Sequence, residues 1–415
     1  MRRVVITGMG VVSPIGIGVG AFWKALAAGV GGIRRITRFD PTPFASQIAG
    51  EVPDFDPLAH LARRDVVRTD TFIHYAMTAA SEAVADAGLV IEAQSERVGV
   101  SIGTGMGGIP LLMASYDTLL REGPETVSPY AMPGFLPSMA AGWVSMRTGA
   151  RGPIASATTA CAAGSQAIGD AFRVIQRGDA DAMLAGGTDA LVHPVVIASF
   201  CALRALSTHN VEPECASRPF DRERDGFVLA EGAGILVLES LETARARGAR
   251  VYAELVGYGI TADAHHPTAP STDGPSRAMR LCLADAGLAP EDVDYINAHG
   301  TSTPHNDVNE TRAIKQVFGA HAARLAVSST KSMTGHLIGA AGAVEAIATT
   351  LAVERDLVPP TVNQRSPDPE CDLDYVPNQA RRMEVRAAIS NAFAFGGTNA
   401  ILAFRKADAR DGAPR

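Results

Sequence analysis

Cys161 stands in ASATTACAAGSQAIG, residues 155–169: small residues, one thiol, then apolar residues at helical spacing as far as Ile175. The pattern predicts an irregular or extended segment that turns into a helix at the cysteine. Unpaired N–H groups and the helix dipole favour negative charge at a helix start. A thiol there is expected to have a lowered pKa and to act as a nucleophile. A cysteine among Ala, Ser and Gly is also at home as a small buried hydrophobe.

Three further stretches could do chemistry. In NAHGTSTPHND, residues 297–307, His299 follows an apolar strand and precedes a cluster of hydroxyls. A polar residue at a strand end is a favoured site position in an α/β protein; a loop histidine capped by Ser and Thr is the alternative. In SSTKSMTGHLIGAAGAVE, residues 328–345, Lys331 and His336 flank a turn and Glu345 lies inside the next helix. A Lys and a Glu among so many small residues should be partly buried and need partners, which a structural ion pair would also satisfy. In FAFGGTN, residues 393–399, two glycines beside Phe395 allow unusual backbone angles and motion, or make a plain turn. His299 and His305 lack the companions of a zinc site, and Pro304 restricts their loop, so no metal is expected. Gly103, Gly105 and Gly108 satisfy G-x-G-x-x-G after a strand. No second strand with a terminal acid follows, so they read as a tight turn with close backbone packing and not as a dinucleotide site.

The elements that must position these residues come from a chain of 415 residues, 47% hydrophobic and 20% charged, enough for two large domains or one fused pair. The net charge of −7 and the absence of Lys/Arg runs argue against a general nucleic-acid binder. Five scattered cysteines without a CxxC pair support neither a disulfide framework nor a zinc site, which suggests a reducing compartment. The opening MRRVVITGMGVVSP is broken by Gly8, Gly10 and Pro14 and reads as a first strand, not a signal. No apolar run approaches membrane-spanning length, so a cytoplasmic location is expected. Strands are predicted at Arg3–Thr7, Val98–Ile102, Ala180–Ala185 and Phe227–Leu238, and helices at Ala21–Ala28 and Asp70–Asp86. The second half echoes the first: 251–261 with the opening strand, 292–300 with RVGVSIGTG, 325–353 with the Cys161 segment, and Ala387–Phe404 with Phe227–Leu238. Four echoes in order predict a two-fold duplication of an α/β half, joined near Thr243–Arg250.

Taken together, TTACAAG with Cys161, NAHGTSTP with His299, KSMTGHLIGAAGAVE with Lys331 and His336, and the late FGGTN resemble the β-ketoacyl-[acyl carrier protein] synthases. The resemblance runs from Arg3 to about Phe404. It implies the thiolase-like fold: duplicated α/β halves in a five-layer αβαβα arrangement. The halves are expected at 1–250, with the nucleophilic cysteine, and 251–405, with both histidines; 406–415 would be a polar, disordered tail.

The resemblance also implies a chemistry: a decarboxylative Claisen condensation of an acyl thioester with malonyl-carrier protein through acyl-Cys161. His299 and His336 would assist decarboxylation, and Lys331 would pair with Glu345. The N–H groups of Cys161 and Phe395 would form the oxyanion hole, with Phe395 as a gate hinged at Gly396 and Gly397. Thr301 and Thr303 would bind pantetheine, and Met106, Ile109, Phe200 and Phe393 would line the acyl pocket. Arg63, Arg64, Arg68 and Arg204 would dock an acidic acyl carrier protein, which itself carries the phosphopantetheine, so no free cofactor is expected. A homodimer, or a heterodimer with a chain-length-factor-like subunit, is expected. RFDPTPFASQIAGEV, HNDVNET and DPECDLDYVP lean toward the ketosynthase subunit of a type II polyketide system making reduced or polyene chains. HGTSTP and FGGTN lean toward the elongating enzyme of type II fatty-acid synthesis; the mixture suggests the polyketide ketosynthase subunit, working with a chain-length-factor partner, and the fatty-acid enzyme is the alternative. A non-catalytic chain-length factor is the reading from another class, and the retained Cys161, His299 and His336 speak against it.

Overall fold

The structure is a computed structural model and describes residues 1–408. Ten strands form the frame. In the first half they are β1 Val4–Ser13, β2 Val98–Gly103, β3 Ile154–Ala155, β4 Ala182–Asp189 and β5 Gly232–Ser240. In the second they are β6 Ala253–Ala262, β7 Tyr295–Asn297, β8 Ala326–Ser328, β9 Ala387–Phe393 and β10 Thr398–Lys406. The spatial order is the same in both halves, β3-β2-β4-β5-β1 and β8-β7-β9-β10-β6. The directions repeat too: β5 is antiparallel to β1 and β4, β10 to β6 and β9, and the remaining pairs are parallel. The halves join where β1 runs antiparallel to β6, pairing Val4 with Leu255, Val5 with Glu254 and Ile6 with Ala253.

The helices that matter for the site are α1 Thr71–Ala87, α2 Ile109–Glu122, α3 Ala163–Arg177, α4 Pro194–Ala202, α5 Asp273–Ala286, α6 Pro304–Phe318 and α7 Ala341–Arg355. α3 and α7 pack on each other and on both sheets, α1 covers the outer face of the first sheet and α5 that of the second. Five layers result. A helix between two sheets must be apolar all round, and its side chains must be small for close approach. AGAVEAIATTLAV meets both demands, and every residue from Ala341 to Val353 is buried. Glu345 is the one charged residue in that run.

Several sequence expectations need adjustment. The strand expected at Ala180–Ala185 starts at Ala182 and continues to Asp189, because it pairs with β5 as far as Asp189 opposite Gly232. Phe227–Glu231 is not part of β5; Phe227, Leu229 and Ala230 make isolated bridges to Leu206, His336 and Gly50 instead. The stretch Ala387–Phe404 is a two-strand hairpin, so its counterpart is β4 with β5, not Phe227–Leu238 alone. Lys406, expected in the tail, ends β10 and pairs with Asp356. Residues 409–415 of that expected tail lie outside the described residues. Among the described residues no helix is long and apolar enough to cross a membrane.

Candidate active site

Cys161 sits in a single 3-10 turn, Ala160–Ala162, that leads directly into α3. Ala160 holds the left-handed backbone angle φ 46°, which costs a non-glycine residue of order 1–3 kcal/mol. The bend aims the thiol into a cavity of about 890 Å³ lined by residues from both halves, including His299, His336 and Phe395. The N–H groups of Cys161 and Phe395 both face the sulfur and favour its ionised form.

The expected fall in the thiol pKa is not found. Burial is the largest influence and pushes the thiol up to about 12, Asp189 adds to the rise, and the nearby Lys331 and the two N–H groups pull it partly back. The local helix start is outweighed by the surrounding protein, because desolvation penalises a thiolate strongly.

His299 follows β7 and is buried, as is His336, and their rings lie 5.4 Å apart, edge to face. His336 is held through its backbone: its N–H donates to the Val228 carbonyl at 2.8 Å and its carbonyl accepts from Ala230 at 2.9 Å. Its Nδ1 accepts the Ile338 N–H at 3.2 Å. The Lys331 ammonium lies 3.4 Å from His299 Nδ1 and forms a buried ion pair with Glu345. An ammonium has only protons to offer, so His299 Nδ1 is an acceptor. In both rings the proton therefore sits on Nε2. Burial, then the Lys331 charge, holds both histidines well below the ordinary histidine range. The site thus presents two neutral imidazoles with Nε2–H donors. Burial pushes Glu345 up to about 7 against the pull of Lys331.

Phe395 lies in the turn between β9 and β10, is 40% exposed, and has its ring 6.5 Å from that of Phe200. Gly396 and Gly397 take φ 83° and 75°, the region where glycine alone is free of strain. Asp263, which the sequence reading missed, ties this turn down. Its N–H donates to the Gly397 carbonyl at 2.9 Å, and its Oδ1 accepts from Asn399 at 2.7 Å.

Met106, Ile109, Phe200 and Phe393 all line the cavity. Thr301 and Thr303 line it too, 3.0 Å apart through their hydroxyls, and Thr303 also caps α6 by accepting the Asn306 N–H. Of the four arginines expected to dock a partner, Arg204 lines the cavity and Arg63, Arg64 and Arg68 do not. Arg68 instead lies over the Tyr130 ring, and Arg64 faces its neighbour Asp65. Among the described residues no group of three or more His, Cys, Asp or Glu side chains could hold a metal ion.

A profile of the β-ketoacyl synthase N-terminal domain matches residues 1–244, and one of the C-terminal domain matches residues 252–365. The chain is 53% identical over 408 residues to a 3-oxoacyl-[acyl-carrier-protein] synthase 2 of Synechocystis sp., covering 98% of each chain. The chain belongs to the β-ketoacyl synthase family. Two solved structures support the fold. One is the ishigamide ketosynthase/chain length factor, at TM-score 0.92, 42% identity, and 98% and 100% coverage. The other is a type II PKS acyl-carrier protein in complex with its ketosynthase bound to the hexaketide, at TM-score 0.90, 39% identity and the same coverage. The synthase is thus an acyltransferase of the condensing type with the thiolase-like architecture.

Two buried carboxylates of this synthase escaped the sequence reading. Glu310 accepts the N–H of His299 on one oxygen and that of Gly300 on the other, both at 2.8 Å, and so fixes the His299 loop. Its signal was present: Asp307, Glu310, Thr311 and Ile314 share one helical face, and that face is buried. Asp189 ends β4 and accepts from Thr104, Gly105 and Gly339. A charged residue closing the apolar run AMLAGGTD was the available clue.

Proposed function

We propose that this chain is an elongating 3-oxoacyl-[acyl carrier protein] synthase of type II fatty-acid synthesis. One observation carries the chemistry: the Cys161 sulfur is faced by two backbone N–H groups in a cavity that two neutral histidines also line. Cys161 attacks the thioester carbon of an acyl carrier protein; the pantetheine thiolate leaves and takes up the proton the thiol gives away. The N–H groups of Cys161 and Phe395 receive the oxyanion. Malonyl-carrier protein then enters, and His299 and His336 donate from Nε2 to its thioester oxygen as carbon dioxide leaves and enolate charge develops. The enolate carbon attacks acyl-Cys161, the Cys161 thiolate departs and regains a proton, and a 3-oxoacyl thioester is released.

Lys331 and Glu345 hold His299 in its tautomer. Thr301 and Thr303 meet the pantetheine arm, and Phe395 swings on Gly396 and Gly397 to admit each substrate. Met106, Ile109, Phe200 and Phe393 receive the acyl chain. The acyl carrier protein brings the phosphopantetheine and docks at Arg204, the arginine at the cavity. The type II polyketide reading draws on the solved relatives, which are less similar than the Synechocystis synthase. Leu120 and Met132 are exposed, as is Ile154 (56%) on the edge strand β3, and these uncovered apolar side chains and open strand edge support a second copy of this chain as their cover. The test is to mix the purified chain with acyl- and malonyl-carrier proteins and weigh the products intact. A 3-oxoacyl-carrier protein formed by the chain alone supports this reading. Acyl-Cys161 without condensation calls for a chain-length-factor-like partner.

A further inference from the structure

Asp189 is fully buried at the end of β4, and its carboxylate gathers donors from two turns. Oδ1 accepts the Thr104 hydroxyl at 2.6 Å. Oδ2 accepts the N–H of Gly105 at 2.8 Å and that of Gly339 at 2.6 Å. The first turn follows β2 and leads to Met106 and Ile109 in the cavity wall. The second carries Ile338, held at φ 51°, whose N–H donates to His336 Nδ1 at 3.2 Å. Consecutive N–H groups of this turn therefore go to His336 and to Asp189. The turn has no slack: a Cβ on Gly339 would sit 2.3 Å from Gly105 N and 2.6 Å from Asp189 Oδ2.

We propose that Asp189 is a positioning residue for His336. Its carboxylate fixes the Ile338–Gly339 peptide so that the Ile338 N–H meets Nδ1, and this keeps the imidazole proton on Nε2, the atom that donates in decarboxylation. The same carboxylate locks the Thr104–Gly105 turn, so the acyl wall and the histidine share one anchor. The inference rests on the proposed role of His336. Burial raises the Asp189 carboxyl to about 7. Its protonated form keeps Oδ2 as an acceptor for both N–H groups and turns its own O–H toward Thr104. Asn reproduces that pattern; Ala leaves two converging N–H groups buried without an acceptor.

The test compares Asp189→Ala and Asp189→Asn in two partial reactions: Cys161 acylation by acyl-carrier protein, read by intact mass, and carbon dioxide release from malonyl-carrier protein. Asp189→Ala should slow decarboxylation about 100-fold and acylation by no more than about fivefold. Asp189→Asn should recover at least about tenfold of that loss. An equal fall in both reactions, unchanged decarboxylation, or no recovery with Asn overturns the proposal. Should Asp189→Ala not fold, Thr104→Val loosens the same anchor; decarboxylation should fall several-fold at constant acylation, and wild-type rates overturn the idea. If His336→Ala itself keeps decarboxylation, the functional reading has failed. If His336→Ala loses decarboxylation and Asp189→Ala keeps it, this inference alone has failed.

Discussion

The starts of the two central helices are built alike. In the first half a 3-10 turn, Ala160–Ala162, runs into α3; in the second, Ile338–Ala340 runs into α7. Each turn opens on a non-glycine residue with a left-handed backbone, Ala160 at φ 46° and Ile338 at φ 51°. Cys161 and Gly339 are thus equivalent positions. The partners cross between halves: the N–H of Phe395, just after β9 of the second half, faces Cys161, while Asp189, ending β4 of the first, takes the N–H of Gly339. A duplicated fold makes the same donor site twice. One copy carries a thiol and faces the cavity, where a substrate oxygen can enter; the other carries no side chain and is filled by the protein's own carboxylate. The difference teaches that the fold supplies oriented N–H groups and that single side chains decide whether those groups do chemistry or hold geometry.

The largest expected effect strikes the open copy. Cys161→Ala should lower condensation by about 10⁴-fold or more while the fold persists, since it removes the group proposed to carry the acyl chain. Residual condensation near the wild-type rate, measured by intact mass, would sink the assignment. Next comes the histidine beside the filled copy. His336→Ala should cut condensation about 10³-fold, as expected for loss of a donor to developing charge, while Cys161 still acylates. Gly339→Ala puts a methyl group where the filled copy has no room. It should cost about 1–3 kcal/mol of stability, read as a lower Tm, and slow decarboxylation with it. A Tm equal to wild type would mean that the two copies are less alike than their geometry.

Smaller effects sharpen the electrostatic contrast. Both histidines are held well below 6.5, so they stay neutral as the pH falls through that value and the Nε2–H donors persist. The histidines should therefore give malonyl decarboxylation no acid limb of their own between about pH 7.5 and 6, and any change there should follow Glu345 and Asp189, both raised to about 7; a limb centred near 6.5 that survives in both Glu345→Gln and Asp189→Asn would show an ordinary histidine. The sign for stability is the opposite of neutral: the unfolded chain takes up these protons below 6.5 and the folded chain does not, so the histidine contribution to stability declines on acidification. Smallest of all, Arg204→Glu should raise the Michaelis constant for carrier protein several-fold with little change in turnover, and more at low salt, as for a rim charge. An unchanged constant would move the docking surface away from the cavity mouth.

The residues proposed to do the chemistry stand in short strings, and the structure brings Cys161, His299, His336 and Phe395 to one cavity. Cys161, His299, Lys331, His336 and Phe395 each sit in a run of small or glycine residues that sets them apart from ordinary core or surface. The duplication was legible for the same reason, through recurring strand–turn–helix patterns, although Ala387–Phe404 was matched to one strand where it forms two. Asp189, Glu310 and Asp263 were not found. Asp189 and Glu310 accept backbone N–H groups of other segments, and Asp263 donates its own N–H to the Gly397 carbonyl and accepts from the Asn399 side chain; Gly339 and Asp189 are 150 positions apart. A backbone N–H leaves no mark in a sequence, so the pattern could flag Asp189 and Glu310 as buried charges but could not show what they hold.

The amino-acid order by itself determined the alternation of strands and helices, the two-fold plan, and the proposed nucleophile and companions, because these depend on side-chain type and local spacing. Only the tertiary structure decided what state those groups are in. The thiol rises where its helix start alone would lower it, because burial is the sum of everything around it. The imidazole tautomers are set by Ile338 and Lys331, and the cavity exists only where the two halves meet. Charge state and convergence are properties of surroundings, and surroundings are made by contacts distant in sequence.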